Sequence, residues 1–204
     1  MARNFNDIVS MDLKVWQDKY FLVMIDLATR YCSACVIKSK EANVIIEAIM
    51  RYWIALFGAP KKILTDNEGE FNNNEFRSMG ENFNIEVMCT AAESPWSNGV
   101  CERLNAVLKD NVLKIKEDTK CTIETALAWA VAARNALHNN LGFSPNQLVF
   151  SLNPNLPSIG DDRPPALENV TSSQVVADNL MALRKAREEF VRSDANERIK
   201  RALS

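Results

Sequence analysis

The feature that most constrains the fold is a succession of three strand patterns at the start of the chain. Apolar and polar residues alternate over residues 8–15, which is the two-residue period of a strand with one buried face. Residues 20–25 and 31–37 form two further strand patterns, and only four or five residues separate each from the one before. Because connections this short join antiparallel neighbours, the sequence predicts a three-stranded meander.

After the meander, helix and strand patterns alternate. Apolar residues keep helical spacing between Ser39, a candidate N-cap, and Gly58. Residues 63–65 predict a short buried strand that ends at Asp66. Asn72 opens a capping-box spacing for a second helix, and residues 85–88 predict a fifth strand. This order predicts an α/β fold with a mixed five-stranded sheet, three antiparallel strands first, flanked by helices.

The second half of the chain predicts helices. Residues 90–99 combine Ser, Pro, Asn and Gly, which favours a mobile loop, and Glu102 then lies in the first turn of the next helix. Thr122 opens a helix that is apolar nearly all round and is expected to be buried. Ser144 and Pro145 open a short helix with a capping box.

Composition changes along the chain predict its domain organisation. We expect a core domain over residues 1–150, a Pro- and Gly-rich linker over residues 151–170 and a helical extension over residues 171–204. The extension carries a small excess of Lys and Arg, which is typical of a solvated helix face.

Composition also excludes several classes of protein. The longest apolar stretch, residues 125–133, is shorter than the roughly 18–20 residues that span a bilayer, and residues 1–10 contain no signal-peptide core. The five cysteines include one close pair, Cys32 and Cys35, and His138 is the one histidine. We therefore expect an intracellular protein with reduced thiols and without zinc in this segment.

The net charge of −2 opposes a generally basic DNA-binding surface. Contact with DNA would have to come from local clusters of basic or polar residues. Acidic residues gathered around metal ions would themselves lower the net charge.

Three carboxylates lie where the predicted elements meet: Asp12 within a strand, Asp66 at a strand end and Glu102 at a helix start. Alone, such residues usually form turns or pair with a helix dipole. Together they would repel one another unless a divalent cation were present, and oxygen ligands suit Mg²⁺ or Mn²⁺. Two such ions can activate an attacking oxygen and stabilise a leaving oxygen in phosphoryl transfer.

Three sequence blocks surround these carboxylates: Met11–Leu13, Leu64–Asn67 with Glu70 and Phe71 soon after, and the run from Pro95 to Asn105. Thirty-five residues separate Asp66 from Glu102. The blocks and this spacing resemble the retroviral integrase superfamily. Residues 143–150 and 153–157 are similar to segments that follow the core in gypsy-like retrotransposons and related cut-and-paste elements, so the resemblance covers about residues 7–157.

The resemblance implies an RNase H-like fold and a nuclear enzyme that acts on DNA. Asp12, Asp66 and Glu102 would hold Mg²⁺ or Mn²⁺, and two ions are expected. The implied reactions are cleavage near the 3′ ends of element DNA and attack of the freed 3′-hydroxyl on target DNA. Integrases of this kind dimerise through the core, so a homodimer is expected.

Some positions depart from the family pattern. Glu68 stands where the family commonly has glycine, and Ala106 stands where a basic or polar residue is usual. Lys109, seven residues after Glu102, fits the expected DNA contact, although a solvated lysine is the alternative. The remaining candidates for DNA contact are Asn98, Arg103 and Asn105.

Two other functions stay open. The chain lacks the N-terminal His/Cys module and the C-terminal barrel of such integrases, so it is either an excised core or a shortened descendant. A host protein derived from an integrase could keep the fold as a DNA-binding or protein-interaction module without transposition. A ribonuclease H-like nuclease uses similar metal chemistry but does not explain the block that ends at Glu102. Asp26 is a possible fourth carboxylate, and its spacing to Thr29 favours a turn.

Overall fold

The computed structural model describes residues 2–65, 69–89, 95–138, 142–155 and 173–203. The chain divides into two compact units, Met1–Ala106 and Val107–Ser204. The first unit contains the sheet, and the second is helical.

The sheet of the first unit has five strands in the order β3-β2-β1-β4-β5. β1 pairs antiparallel with β2, β2 pairs antiparallel with β3, and β4 runs parallel to both β1 and β5. The predicted mixed sheet with three antiparallel strands first is therefore confirmed. The strands are β1 (Ile8–Trp16), β2 (Lys19–Asp26), β3 (Cys32–Ile37), β4 (Lys62–Thr65) and β5 (Glu86–Cys89).

The hairpin between β1 and β2 is tighter than the sequence predicts. Trp16 pairs with Lys19, so the turn consists of Gln17 and Asp18 alone, with φ values of 48° and 59°. Two left-handed residues match the twist of the flanking strands, which is the usual solution for a two-residue hairpin. Both strands are therefore longer than the patterns at residues 8–15 and 20–25.

The helices of the first unit begin slightly later than predicted. Glu41, not Ser39, is the N-cap of the first helix, because the Ser39 hydroxyl accepts a hydrogen bond from the Glu41 N–H at 3.4 Å and forms a turn before it. The second helix is capped by Asn73, whose side chain accepts from the Phe76 N–H at 2.9 Å, and not by Asn72. These helices comprise α1 (Ala42–Ile49), a π-helical segment (Met50–Ile54), α2 (Ala55–Phe57) and α3 (Asn74–Phe83).

Both faces of the sheet are buried. One face packs against α1, the π-helical segment and α3 in a core that includes Met11, Met24, Ile49, Trp53 and Phe76. On the other face Phe21, Val23 and Ile25 are fully buried, and Ser10 and Asp12 lie beside them at 3% and 6% exposure. The prediction of a half-buried β1 is therefore wrong, because helix α4 (Pro95–Asp118) begins over this second face.

Helix α4 also begins earlier than predicted. Residues 95–99 are helical, so this half of the predicted loop is wrong, and residues 90–94 lie outside the described residues. Proline suits the first turn of a helix, where its missing N–H has no partner to lose. Glu102 consequently lies about two turns after Pro95 and not in the first turn.

Asn6 joins three elements of the first unit. Its Nδ2 donates to the carbonyls of Phe57 and Gly58 at 3.2 Å each, which satisfies the end of α2. Its Oδ1 accepts from Trp53 Nε1 at 2.9 Å, and its backbone N–H donates to Asp26 Oδ1 at 2.9 Å. These bonds fix the entry to β1 against the helical layer and the end of β2.

The second unit contains α5 (Ile123–Leu137), α6 (Pro145–Phe150) and α7 (Gln174–Leu203), together with the rest of α4. The predicted cap of α5 at Thr122 and the predicted capping box of Ser144 with Gln147 are confirmed. The predicted helical extension is present as α7, whereas the predicted boundaries at residues 150 and 170 stay predictions. Within the described part of the chain, no helix has the length and hydropathy needed to cross a bilayer.

α7 folds back onto α5. Trp129 Nε1 donates to Asn179 Oδ1 at 3.0 Å, and the rings of His138 and Phe190 meet edge to face at 6.5 Å. Much of the apolar surface of α5 is covered in this way, but Ala128 stays exposed, so burial of α5 on all sides is not observed.

A buried ion cluster holds α7 against α4 within the second unit. The Glu189 carboxylate is 3% exposed and lies 3.1 Å from Lys185 Nζ and 3.2 Å from Lys114 Nζ. Burial alone would raise the pKa of Glu189, but the hydrogen bonds from Lys185 and Lys114 lower it below its ordinary value. The charge is therefore retained in the folded protein.

We predict that Asn6→Ala lowers the free energy of unfolding by about 2–3 kcal/mol, because the Trp53 N–H loses its acceptor and the carbonyls of residues 57–59 lose their donor. Asn6 has a φ of 66°, so part of the loss is backbone strain. Asn6→Gly removes the same bonds without that strain and should be less destabilised than Asn6→Ala by about 1 kcal/mol. Urea denaturation measures both, and equal stability of all three proteins would contradict the role given to Asn6.

Candidate active site

Asp12 lies in the central strand of the sheet. It pairs with Val23 across β1 and β2, and only 6% of the residue is exposed. The two-residue period of β1 places Ser10 and Lys14 on the same face as Asp12. Strand geometry therefore fixes the direction of this carboxylate.

The start of α4 reaches Asp12 through Asn105. Asn105 Nδ2 donates to Asp12 Oδ2 at 2.5 Å, across 93 residues of sequence. Asn105 is 5% exposed, and its Oδ1 accepts no hydrogen bond from the described residues. The amide thus holds α4 on β1 and keeps one oxygen available beside the carboxylate.

A second group approaches the other oxygen of Asp12. Lys14 Nζ lies 3.1 Å from Asp12 Oδ1, and the lysine side chain is 37% exposed compared with 9% for that of Asp12. The carboxylate therefore lies between a positive charge and an amide donor. The alternation over residues 8–15 predicts that Lys14 shares a face with Asp12, but it does not predict the contact between them.

Glu102 is exposed on α4, three residues before Asn105. Residues three apart on a helix are neighbours, with Cβ atoms about 5–6 Å apart, so Glu102 lies on the side of α4 that carries Asn105. The bond between Asn105 and Asp12 brings this side of the helix to the central strand.

Asp66 and Glu68 lie outside the described residues. β4 ends at Thr65 and runs parallel to β1, with Leu64 paired with Ser10. From that pair, β1 continues to Asp12 and β4 to its last residue, Thr65. Among the described residues no group of three Asp, Glu, His or Cys side chains gathers in a way that holds a metal.

The predicted DNA contacts have different surroundings. Lys109 and Arg103 are exposed on α4. The Arg103 guanidinium lies over the preceding turn, close to Gly99: a methyl group built on Gly99 would lie 3.5 Å from Nη1 of Arg103. The side chain of Asn98 lies outside the described residues. Asn105 is buried against Asp12, so the structure gives it an internal partner, and its predicted contact with DNA stays a prediction.

Asp26 forms the turn that the sequence favours. Its Oδ2 accepts from the N–H groups of Ala28 and Thr29 at 3.1 and 2.7 Å and from the Thr29 hydroxyl at 2.8 Å. Burial raises the pKa of Asp26, although the hydrogen bonds from Thr29, Asn6 and Ala28 act in the opposite direction. With these bonds and that to Asn6, both oxygens have structural partners.

The oxygen donors around Asp12 fit a hard divalent cation. The Asp12 carboxylate and the Oδ1 of Asn105 beside it are ligand types that Mg²⁺ and Mn²⁺ accept, and the position of Lys14 shows that this place accommodates positive charge. Glu102, on the same helix as Asn105, carries a further carboxylate. The cysteine pair has different chemistry: burial raises the pKa of Cys35 to about 12, which keeps the thiol protonated at neutral pH.

Comparison with known proteins identifies the fold. Residues 3–95, a little under half of the chain, match the family described as the integrase core domain. The chain is 28% identical over 170 residues to the Gag-Pol polyprotein of avian reticuloendotheliosis virus, covering 83% of the chain and 14% of that protein. It is 25% identical over 178 residues to the Pol polyprotein of radiation murine leukemia virus (strain Kaplan), covering 84% of the chain and 29% of that protein. The chain therefore spans only a small part of these relatives.

Solved structures give the same result. The catalytic core domain of BIV integrase superposes with a TM-score of 0.63 at 22% identity, covering 72% of this chain and 95% of that one. The HTLV-2 integrase catalytic core domain in complex with magnesium gives 0.62 at 23% identity, covering 71% and 97%. The simian T-cell lymphotropic virus intasome structure gives 0.67 at 25% identity, covering 81% and 61%. The resemblance to retroviral-type integrase cores and the RNase H-like fold are confirmed.

Proposed function

We propose that this chain is a polynucleotidyl transferase that cleaves element DNA near its 3′ ends and joins the freed 3′-hydroxyl to target DNA. The likeness to integrase cores supports the reaction class. The particular reactions, the DNA partner and a nuclear location belong to the proposal, and fractionation of cells that express the chain tests the location.

The observation that carries the proposal is the hydrogen bond between Asn105 and Asp12. It brings the middle of β1 together with the helix that carries Glu102, although the two bonded residues are 93 positions apart in the sequence. Burial of a carboxylate costs free energy unless it is compensated, and here Lys14 and Asn105 compensate it at a position where a catalytic carboxylate is expected.

Asp12, Asp66 and Glu102 would hold one or two divalent ions, and the Asn105 amide would orient Asp12 for them. Divalent ions at such a site activate an attacking oxygen and stabilise the leaving oxygen in an in-line displacement. The protein's own contribution is to fix the carboxylates: Asp12 by its strand and Glu102 by its helix. Burial of Asp12 strengthens its electrostatic interactions.

We predict that Asp12→Asn, Asp66→Asn and Glu102→Gln each abolish metal-dependent cleavage and strand transfer while the protein stays folded, because each removes one anionic ligand at little change in size. Two exposed residues provide matched controls: Asp18→Asn in the β1–β2 turn and Glu117→Gln on α4 should keep the activity of the original protein. Gel assays with Mg²⁺ or Mn²⁺ on element-end oligonucleotides measure both reactions.

Activity that survives in any of the three variants would remove that residue from the site. An original protein that binds DNA but neither cleaves nor joins it, under conditions in which Mn²⁺ binds, would favour the alternative function of an integrase-derived DNA-binding or protein-interaction module.

Lys109 is the proposed contact with the DNA backbone, together with Arg103, Asn98 and Asn105. Lys109 and Arg103 are exposed on α4. With a net charge of −2, the chain is expected to bind DNA weakly and with little sequence preference.

We predict that Lys109→Glu weakens DNA binding and that the loss shrinks as salt rises, because salt screens a phosphate contact. Lys120→Glu, at an exposed position after α4, makes the same charge change and serves as the control. Fluorescence anisotropy across a salt series measures DNA binding by both variants. Equal weakening would show that the change in net charge, and not a specific contact of Lys109 with DNA, causes the loss.

We also propose that the chain forms a homodimer. α7 covers α5, but large apolar side chains that stay exposed follow at Phe143, Leu148, Phe150 and Leu152, with exposures of 40–60%. An apolar surface of this kind favours association.

The dimer predicts twice the chain mass of 23.0 kDa by light scattering at micromolar concentration. Phe150→Ser should shift the protein towards the monomer because it removes part of the apolar surface, whereas Val175→Ser, at an exposed position on α7, should not. A monomer mass at all concentrations would contradict the proposal.

A further inference from the structure

Among the described residues, Lys14 is a positive group that lies at Asp12 and has no role in the proposed reaction. It follows Asp12 by two residues on β1, so strand geometry alone directs both side chains to the same face. The separation of 3.1 Å between Lys14 Nζ and Asp12 Oδ1 is that of a direct ion pair.

This ion pair and a metal ion would compete for the same oxygen, Oδ1 of Asp12. Asp12 Oδ2 already accepts from Asn105, and Oδ1 faces Lys14. A divalent ion that bound Oδ1 would meet the ammonium group at a distance where two positive charges repel strongly. The ammonium group therefore weakens the binding of a divalent ion at this carboxylate.

The two partners of Asp12 differ in their freedom to move. Asn105 is 5% exposed and lies in a helix held on the sheet, whereas 37% of the Lys14 side chain is exposed and its four-carbon stem is flexible. Lys14 is the partner that can turn outwards while the backbone and Asn105 stay in place.

We propose that Lys14 is a built-in counterion of Asp12 that a divalent cation displaces, and that it thereby sets the metal-ion concentration at which the site fills. The inference rests on the proposed function, since it takes Asp12 as a metal ligand. Without metal, Lys14 compensates the buried charge of Asp12. When metal binds, that compensation passes from the ammonium group to the divalent ion.

Removal of the lysine charge should tighten metal binding. A monovalent and a divalent cation roughly 6 Å apart in a water-like dielectric repel by an amount that corresponds to about a tenfold change in affinity. The same removal leaves Asp12 without its cation when metal is absent, so the metal-free protein should melt at a lower temperature. Added metal should then raise the melting temperature more than it does in the original protein.

The test measures Mn²⁺ binding to the full chain by calorimetry, with melting temperatures with and without Mn²⁺ as a second readout. Lys14→Met and Lys14→Gln remove the charge in two ways, and Lys14→Arg keeps it. Lys19→Met is the charge-matched control, because Lys19 lies in the same hairpin four residue pairs from the Asp12–Val23 pair, roughly 13 Å along the strands. Asp12→Asn tests the metal site itself.

We expect the two neutral variants to bind Mn²⁺ about tenfold more tightly at low salt, with a smaller gain at high salt, while Lys14→Arg and Lys19→Met stay within about twofold of the original. If Asp12→Asn abolishes binding and the neutral variants bind equally or more weakly than the original, the counterion role is overturned and the proposed function stands. If Asp12→Asn leaves Mn²⁺ binding unchanged, the proposed metal site is wrong and the role of Lys14 fails with it.

Discussion

A carboxylate buried in the middle of a sheet requires partners, and the site depends on how this chain supplies them to Asp12. An unpaired charge at this position would destabilise the folded state by several kcal/mol, because the protein interior solvates ions poorly. Among the described residues, a first partner, Lys14, comes from the same strand, and a second, Asn105, comes from α4. The second partner has the larger structural consequence because it places the Glu102 helix at the central strand.

Other interactions keep β1 in the position that this contact needs. Asn6 fixes the start of β1 to the end of α2 and to Asp26 at the end of β2. The antiparallel pairing with β2 and the parallel pairing with β4 then hold the strand from both sides. The rigid parts of the site are therefore its strand and its helix, whereas the exposed ends of Lys14 and Glu102 are its adaptable parts.

The sequence predicts the sheet well because strand patterns and short connections leave few topologies. Capping chemistry predicts the starts of α5 and α6 to the residue, since Thr122 and Ser144 have hydroxyls that accept from the first turn. Capping chemistry does not predict the start of α4 at Pro95. Pro95 and Gly99 are residue types common in loops, although proline is also compatible with a first helical turn. Burial of the second sheet face was missed because alternation in one strand does not reveal which helix covers it.

The candidate site was predicted from motifs and the 35-residue spacing, but not the contacts within it. A spacing cannot show that Asn105 turns inwards to Asp12 instead of outwards to DNA, since that depends on which side of α4 meets the sheet. Nor did the sequence distinguish Lys14 as a partner of Asp12 from a solvated lysine, because both follow from the same alternation. Packing between elements distant in sequence decides both cases.

In the proposed site, the contact between Asn105 and Asp12 brings the carboxylates of β1 and α4 to one divalent ion. Anomalous diffraction from crystals of the chain grown with Mn²⁺ tests it most directly. We expect a manganese peak within about 2.0–2.4 Å of oxygens of both Asp12 and Glu102, with Asn105 still bound to Asp12 and Lys14 turned away. A manganese peak bound elsewhere, or crystals saturated with Mn²⁺ in which Asp12 keeps Lys14 and binds no ion, would contradict it.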